Sequence, residues 1–225
     1  MNYGVIVAAG KSERMGPSVD KAFFSLGSKP VLAYSLLAYE RCPDIDGVIL
    51  VVRKDRLEGA RSMVRMFGYA KVKRVIAGGT KRQGSVANGL DELGDDVDVV
   101  SVHDGARPCV TPELISETIR VAKRYGSGVA GVKITDTIKV VDAGVKVSKT
   151  LDRTKLWAVQ TPQTFKLALL RQAVAFVNRK RIAVTDEASA VELIHKDVHL
   201  VPSAVSNIKI TTPDDLPLAA AILKV

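Results

Sequence analysis

Continuous apolar runs of strand length recur along this chain, and each ends in glycine or polar residues before a stretch with helical spacing. Tyr3-Gly4-Val5-Ile6-Val7-Ala8-Ala9 and Gly47-Val48-Ile49-Leu50-Val51-Val52 are runs of this kind, and Val72 to Ala77, Val97-Asp98-Val99-Val100-Ser101-Val102 and Gly128 to Ile134 read as further strands. Strands that are apolar throughout are buried on both faces, so helices must cover both sides of their sheet. The intervening stretches supply such helices. Val31, Tyr34, Leu37 and Ala38 share one face between Val31 and Arg41, and further helices are expected over 57–66, from near Gln83, over 111–125, 167–177, 185–194 and 213–223. Thr111 is the expected N-cap of its helix, with Pro112 at the first position and Glu113 in the first turn. The fold class that follows is α/β: a Rossmann-like, mostly parallel twisted sheet flanked by helices.

One stretch breaks the alternation. Ile138-Lys139-Val140-Val141 and Val145-Lys146-Val147 flank Asp142-Ala143-Gly144 with no helix between them, the pattern of a β-hairpin. The expectation is one domain over residues 1–225 with a projecting β-arm at 137–151. A lone two-stranded arm is marginally stable, so it is expected to pack on a second copy of the chain in a homodimer. Asn207-Ile208-Lys209-Ile210 alternates in polarity and predicts a short last strand.

The chain has 225 residues, with 33 Lys and Arg against 24 Asp and Glu, a formal charge of +9. Basic residues are dispersed rather than clustered and aromatics make up only 5% of the chain, which argues against a nucleic-acid partner and suits a small polyanion. No apolar run approaches the ~20 residues of a membrane span, and the opening residues lack signal-peptide organisation, so a cytoplasmic protein without a membrane partner is expected. Cys42 and Cys109 fit neither a disulfide framework nor a metal cluster and read as reduced, packed residues.

In open α/β sheets ligands bind beyond the carboxyl ends of the strands. Four polar or glycine-rich segments fall there: Ala9 to Lys21, Gly78 to Ser85, His103 to Pro108, and Asn207 to Thr211. The first is neither a dinucleotide fingerprint, since Ser12 stands where the second glycine belongs, nor a P-loop. Small residues with Gly10, Lys11, Arg14 and Lys21 nevertheless make a cradle for a triphosphate, backbone N–H groups approaching the oxygens while the cations offset charge. An ordinary surface loop is the plainer reading of that segment alone.

The whole set of segments resembles one family. Ala8-Ala9-Gly10 with Met15-Gly16 and a following lysine is the signature region of nucleotidyltransferases with a GT-A-like fold. Gly78-Gly79 with Arg82 and Ser85, Val102-His103-Asp104-Gly105-Ala106-Arg107-Pro108, Asp136-Thr137-Ile138-Lys139, Asp152-Arg153 with Leu156-Trp157, Gln160-Thr161-Pro162-Gln163 with Phe165, Thr185-Asp186-Glu187-Ala188-Ser189 and Asn207 to Thr211 follow in order. Together they are similar to the 2-C-methyl-D-erythritol 4-phosphate cytidylyltransferases of the non-mevalonate isoprenoid pathway. The resemblance implies transfer of CMP from CTP to methylerythritol phosphate, releasing pyrophosphate, with Mg²⁺ as cofactor.

By that resemblance Arg14 and Lys21 stabilise the α-phosphoryl transition state, and Arg153 and Lys209 position the methylerythritol phosphate. Arg153, at the foot of the arm, is implied to reach the neighbouring subunit's site. Nucleotide binding falls to Ala8, Ala9, Gly10, Lys11, Gly79, Thr80, Arg82 and Ser85, with capping of the next helix an equal reading for Ser85. Asp104, Arg107, Thr137 and Thr185 match positions that contact the acceptor. The Asp104 carboxylate is placed to bind Mg²⁺, directly or through water, or to hold a substrate hydroxyl, and Arg107 to pair with Asp104 or meet the substrate phosphate. Asp186 and Glu187 equally suit the dipole of a following helix. His103 reads as a packed residue, since a phosphate nucleophile needs no imidazole. The family's usual Pro-Lys-Gln is here Asp20-Lys21-Ala22. A ribitol 5-phosphate cytidylyltransferase and a nucleotide-binding module without catalysis are the competing readings.

Overall fold

The computed structural model describes residues 1–10, 20–142 and 144–225. Lys11 and Arg14 lie outside the described residues. Strands β1 (Asn2–Ala8), β4 (Gly47–Val52), β5 (Val72–Ala77) and β6 (Val99–Asp104) form the parallel half of a seven-stranded sheet in which β1 pairs with both β4 and β6. All six residues of β4 are buried, as its unbroken apolar character requires, and all six of β6 are buried too, Ser101, His103 and Asp104 among them. Between β1 and β4 in the chain, β2 (Ser25–Leu26) and β3 (Lys29–Pro30) form a small separate ladder turned at Gly27, whose φ of 58° suits glycine.

The other half of the sheet is built around β10 (Trp157–Lys166), antiparallel to both β6 and β7 (Ser127–Lys133), with β11 (Leu200–Pro202) parallel to β7 at the edge. The strand order is β11-β7-β10-β6-β1-β4-β5. From β1 the chain first winds outward through β4 to β5 and then returns to the other side of β1 as β6. The carboxyl ends of β1 and β6 therefore flank the point where the winding reverses.

Helices α1 (Val31–Arg41), α2 (Leu57–Phe67), α3 (Arg82–Asp91), α4 (Pro112–Tyr125), α5 (Leu167–Lys180), α6 (Glu187–Glu192) and α7 (Asp215–Leu223) cover the sheet. One apolar layer joins Leu32, Leu36 and Tyr39 of α1 and Ile115 and Ile119 of α4 to Ile6, Leu50 and Val99. The opposite layer joins Val86 and Leu90 of α3 and Leu170 and Val177 of α5 to Val5, Ile49 and Val100. Thr111 caps α4 as its sequence predicts, its hydroxyl accepting from Leu114 N at 3.3 Å. Cys42 and Cys109 are free and buried.

The arm is present as β8 (Lys139–Val141) and β9 (Val147–Thr150), an antiparallel pair that joins no other strand. The predicted strand at 207–210 is absent. Asn207 instead turns its side chain inward, Nδ2 donating to Thr161 O and to Gln160 Oε1 at 2.9 Å each, while Ile210 N donates to Ala106 O. Alternating polarity there reflects side-chain docking, not membership of a ladder.

Candidate active site

A cavity of about 510 Å³ opens at the carboxyl ends of β1, β4, β5 and β6. Ala8, Ala9 and Gly10 form one wall, Gly78, Gly79, Thr80 and Ser85 another, and Lys21, Arg53, Lys54, Arg82, Asp104 and Lys209 bring charge to it. The small residues serve close approach. A Cβ on Gly78 would lie 2.4 Å from the Ala9 Cβ and 2.7 Å from the Ser85 hydroxyl, so only glycine lets the two walls meet. Ser85 lies inside α3 and is not its N-cap. Its hydroxyl accepts from Gly79 N and donates to Lys81 O, each at 3.1 Å, which ties the Gly78-Gly79 bend to the helix.

Asp104, the last residue of β6, sits at the centre. Its Oδ1 accepts from Arg82 Nε at 3.0 Å and its Oδ2 from Lys209 Nζ at 2.6 Å. Arg82 also donates through both terminal nitrogens to Glu187, at 2.7 and 2.9 Å. The two cations hold the Asp104 carboxyl far below the usual range against the opposing effect of burial. Burial is the largest influence on Glu187 and pushes its carboxyl up, with Arg82 opposing. From the sequence a helix dipole is an equal reading for Glu187, and no spacing marks a partner 105 residues from Arg82. Asp186 does cap α6, accepting from Ser189 N at 2.9 Å.

Arg107 does not pair with Asp104. Its Nη1 donates to Asn207 O at 2.7 Å, so it fastens the segment that carries Lys209. Arg82 and Lys209 have taken both carboxylate oxygens. Thr185 is exposed, its hydroxyl 3.3 Å from that of Ser189, and Thr137 is exposed near the arm. Arg153 donates to Thr135 O and, like Thr137, is not among the residues lining the cavity. The structure thus gathers Ala8, Ala9, Gly10, Lys21, Gly79, Thr80, Arg82, Ser85, Asp104 and Lys209 at one cavity, and leaves Arg107, Thr137, Arg153 and Thr185 outside its lining.

His103 lies fully buried beneath Asp104. Asp104 N donates to the Thr161 hydroxyl at 3.1 Å, which leaves the Thr161 proton for His103 Nδ1 at 3.0 Å, and Nε2–H then faces Arg107 O at 3.3 Å. Every group is satisfied only by the neutral imidazole. Burial pushes the His103 pKa down to about 3. Between its ordinary value near 6.5 and about 3, the unfolded chain binds a proton that the folded chain refuses, so stability falls as pH drops through that window. Melting temperatures measured from pH 7 to 4 are expected to fall less steeply for His103→Gln than for wild type; parallel curves would show that His103 does not set the acid limb.

The described residues contain no group of three His, Cys, Asp or Glu side chains able to hold a metal ion. A direct Mg²⁺ bond to Asp104 would displace Arg82 or Lys209. The protein's own donors therefore do not fit a metal cage.

The sequence model of the 2-C-methyl-D-erythritol 4-phosphate cytidylyltransferase family matches residues 3–225. Proteins of that name from Dehalococcoides mccartyi and Alkaliphilus metalliredigens are 44% and 41% identical to the chain, covering 98% and 97% of it and 95% and 91% of their own lengths. The crystal structure of a 4-diphosphocytidyl-2C-methyl-D-erythritol synthase from Anaerococcus prevotii is similar with a TM-score of 0.87 at 30% identity, covering 100% of this chain and 96% of that one. A 2-C-methyl-D-erythritol 4-phosphate cytidylyltransferase structure from Thermus thermophilus follows at a TM-score of 0.81 and 31% identity, covering 98% of each chain.

Proposed function

The chain belongs to the 2-C-methyl-D-erythritol 4-phosphate cytidylyltransferase family, and from that premise we propose how its residues transfer CMP from CTP to 2-C-methyl-D-erythritol 4-phosphate. The products are 4-diphosphocytidyl-2-C-methyl-D-erythritol and pyrophosphate, in the non-mevalonate route to isoprenoids. The carrying observation is the convergence of Lys21, Arg82 and Lys209 on a cavity whose other walls are small residues and glycines.

An acceptor phosphate monoester has a second pKa of about 6, so it reaches the site largely as a dianion and needs no general base. One of its oxygens attacks the α-phosphorus in line, a new P–O bond forms, and the bond to the β-phosphate breaks with its electrons on departing pyrophosphate. The barrier lies in joining two polyanions and in the charge that builds on the α-phosphate oxygens, so catalysis is positioning and electrostatic stabilisation. Lys21, with Arg14, serves the α-phosphate. Lys209, steadied by Asp104, serves the acceptor phosphate. The cavity that Ala8, Ala9, Gly79, Thr80 and Ser85 help to line takes the cytosine, whose edge backbone groups and small side chains read, and a purine is excluded by size. Mg²⁺ is the cofactor expected to accompany the triphosphate; it would offset phosphate charge, and the described residues offer it no cage of their own.

The arm is assigned to a homodimer in which Arg153 and Thr137 complete the partner's acceptor site, which accounts for their distance from this chain's own cavity. Arg153→Ala is expected to raise KM for the acceptor about 10- to 100-fold, the loss of one charge-assisted contact, with KM for CTP unchanged. With acceptor well below the wild-type KM, refolding it together with Lys21→Ala is expected to restore about a quarter of wild-type turnover, since half of the dimers then hold one intact site. No restoration would place Arg153 in its own subunit's chemistry. Pyrophosphate release with CTP, measured for methylerythritol phosphate and for ribitol 5-phosphate, tests the assignment as a whole. Turnover of ribitol 5-phosphate alone, or of neither, would overturn it.

A further inference from the structure

Asp20 stands beside the lysine assigned to the α-phosphate, where an added negative charge ought to hinder a polyanion. Asp20 itself lines the cavity, and its carboxylate is set against a cation. Asp20 is buried, its Oδ1 accepting from Ala22 N at 3.3 Å and its Oδ2 lying 3.3 Å from Arg56 Nε. Arg56 belongs to the single-turn helix Lys54–Arg56 between β4 and α2, so the pair joins the Lys21 loop to the end of a core strand. The same guanidinium lies over the Phe23 ring, 5.6 Å from its centroid. Ala22 is buried in the core, its carbonyl accepting from Leu32 N at 2.9 Å, and Phe23 N donates to Asp20 O at 3.0 Å. Lys21 therefore sits between two residues whose backbones are fixed, and it still lines the cavity.

We propose that the Asp20–Arg56 pair is a latch that positions Lys21 for the α-phosphate, so that Asp20 and Arg56 are positioning residues for cytidylyl transfer. The proposal rests on the catalytic reading given above for Lys21. The carboxylate holds the loop from one side and the Arg56–Phe23 contact from the other, while Arg56 offsets the charge that Asp20 brings to the cavity. Arg53 and Asp55, which also line the cavity, form their own pair at 2.7 Å and leave Arg56 to Asp20. The proline usual before this lysine would stiffen the loop by fixing φ, whereas here an ion pair between the buried Asp20 and the half-exposed Arg56 performs the restraint.

A four-member cycle tests the latch: wild type, Asp20→Asn, Lys21→Ala and the double variant, with single-turnover rates measured at saturating CTP and acceptor. Asp20→Asn keeps the shape of the side chain and removes its charge. It is expected to lower the rate about tenfold in the wild-type background and less than about twofold beside Lys21→Ala, because a residue that acts through Lys21 has nothing left to position. Arg56→Gln is expected to match Asp20→Asn, with Arg56→Lys recovering most of the rate. An equal loss in both Lys21 backgrounds, or no loss in either, overturns the latch. Thermal melts identify unfolding, and if Asp20→Asn does not fold, Arg56→Gln is read by the same criterion. Wild type inactive with CTP and methylerythritol phosphate would instead overturn the catalytic reading itself.

Discussion

Lys21→Ala is expected to lower kcat by about 100- to 1,000-fold, the loss of roughly 3–4 kcal/mol of transition-state stabilisation that accompanies removal of one preorganised charge. The effect belongs in kcat because charge accumulates on the α-phosphate oxygens only as the acceptor attacks. CTP in its ground state is still held by the walls around Ala8-Ala9 and Gly78-Gly79, so KM for CTP is expected to change by less than about tenfold. The lysine reaches the cavity from a turn whose neighbours Asp20 and Ala22 are both buried, which limits how far another side chain can move in to replace it. Steady-state kinetics with both substrates varied separate the two parameters. Near-normal kcat would remove Lys21 from the chemistry.

Arg82→Ala is expected to have the largest effect on the fold. Arg82 is the shared partner of Asp104 and Glu187, whose side chains are only 11% and 4% exposed. Removing it leaves Glu187 without its paired cation and Asp104 with Lys209 alone. Breaking a buried pair in this way costs about 3–5 kcal/mol, most of it the burial of an uncompensated charge. In a chain of this size that lowers Tm by about 6–20 °C. The sign with pH follows from Glu187. Burial already raises its carboxyl, and without Arg82 it rises further, so at low pH the group is neutral and the loss shrinks. Differential scanning calorimetry at pH 5 and pH 8 is expected to show the larger deficit at pH 8, and adding Glu187→Gln to recover part of it. A deficit independent of pH would mean that Arg82 supports the fold by packing alone.

The parallel half of the sheet was legible because β1 and β4 are continuous apolar runs buried on both faces, while β5 and β6 keep enough valine and isoleucine beside their polar residues to read as strands between helical stretches. Strand β10 escaped for the opposite reason. Gln160, Thr161, Pro162, Gln163 and Thr164 look like a loop, yet they are buried because each side chain finds a partner: Thr164 bonds the hydroxyls of Ser101 and Thr118, and Gln163 bridges Asp186 and Ala188 N. A buried polar strand has no hydropathy signal, and its partners lie far away in sequence. The same limit separates the site residues. Lys21, Asp104 and Lys209 stand out as charged residues at strand ends or in polar segments, whereas the Arg82–Glu187 pair and the turning of Arg107 to Asn207 depend on which distant segments meet.

The stretch that carries Lys209 is docked by side chains rather than woven into the sheet, and that sets when the machinery can first operate. Nearly two hundred residues separate the end of β1 from Lys209, and Arg82, Asp104 and Glu187 fall between them. A nascent chain whose β1, β4, β5 and β6 have already paired still lacks the cation that accompanies Asp104. On the role proposed for Lys209, nucleotide is not committed to reaction until residue 209 has left the ribosome and lain down along the β6–α4 connection, so half-made copies are spared from consuming it.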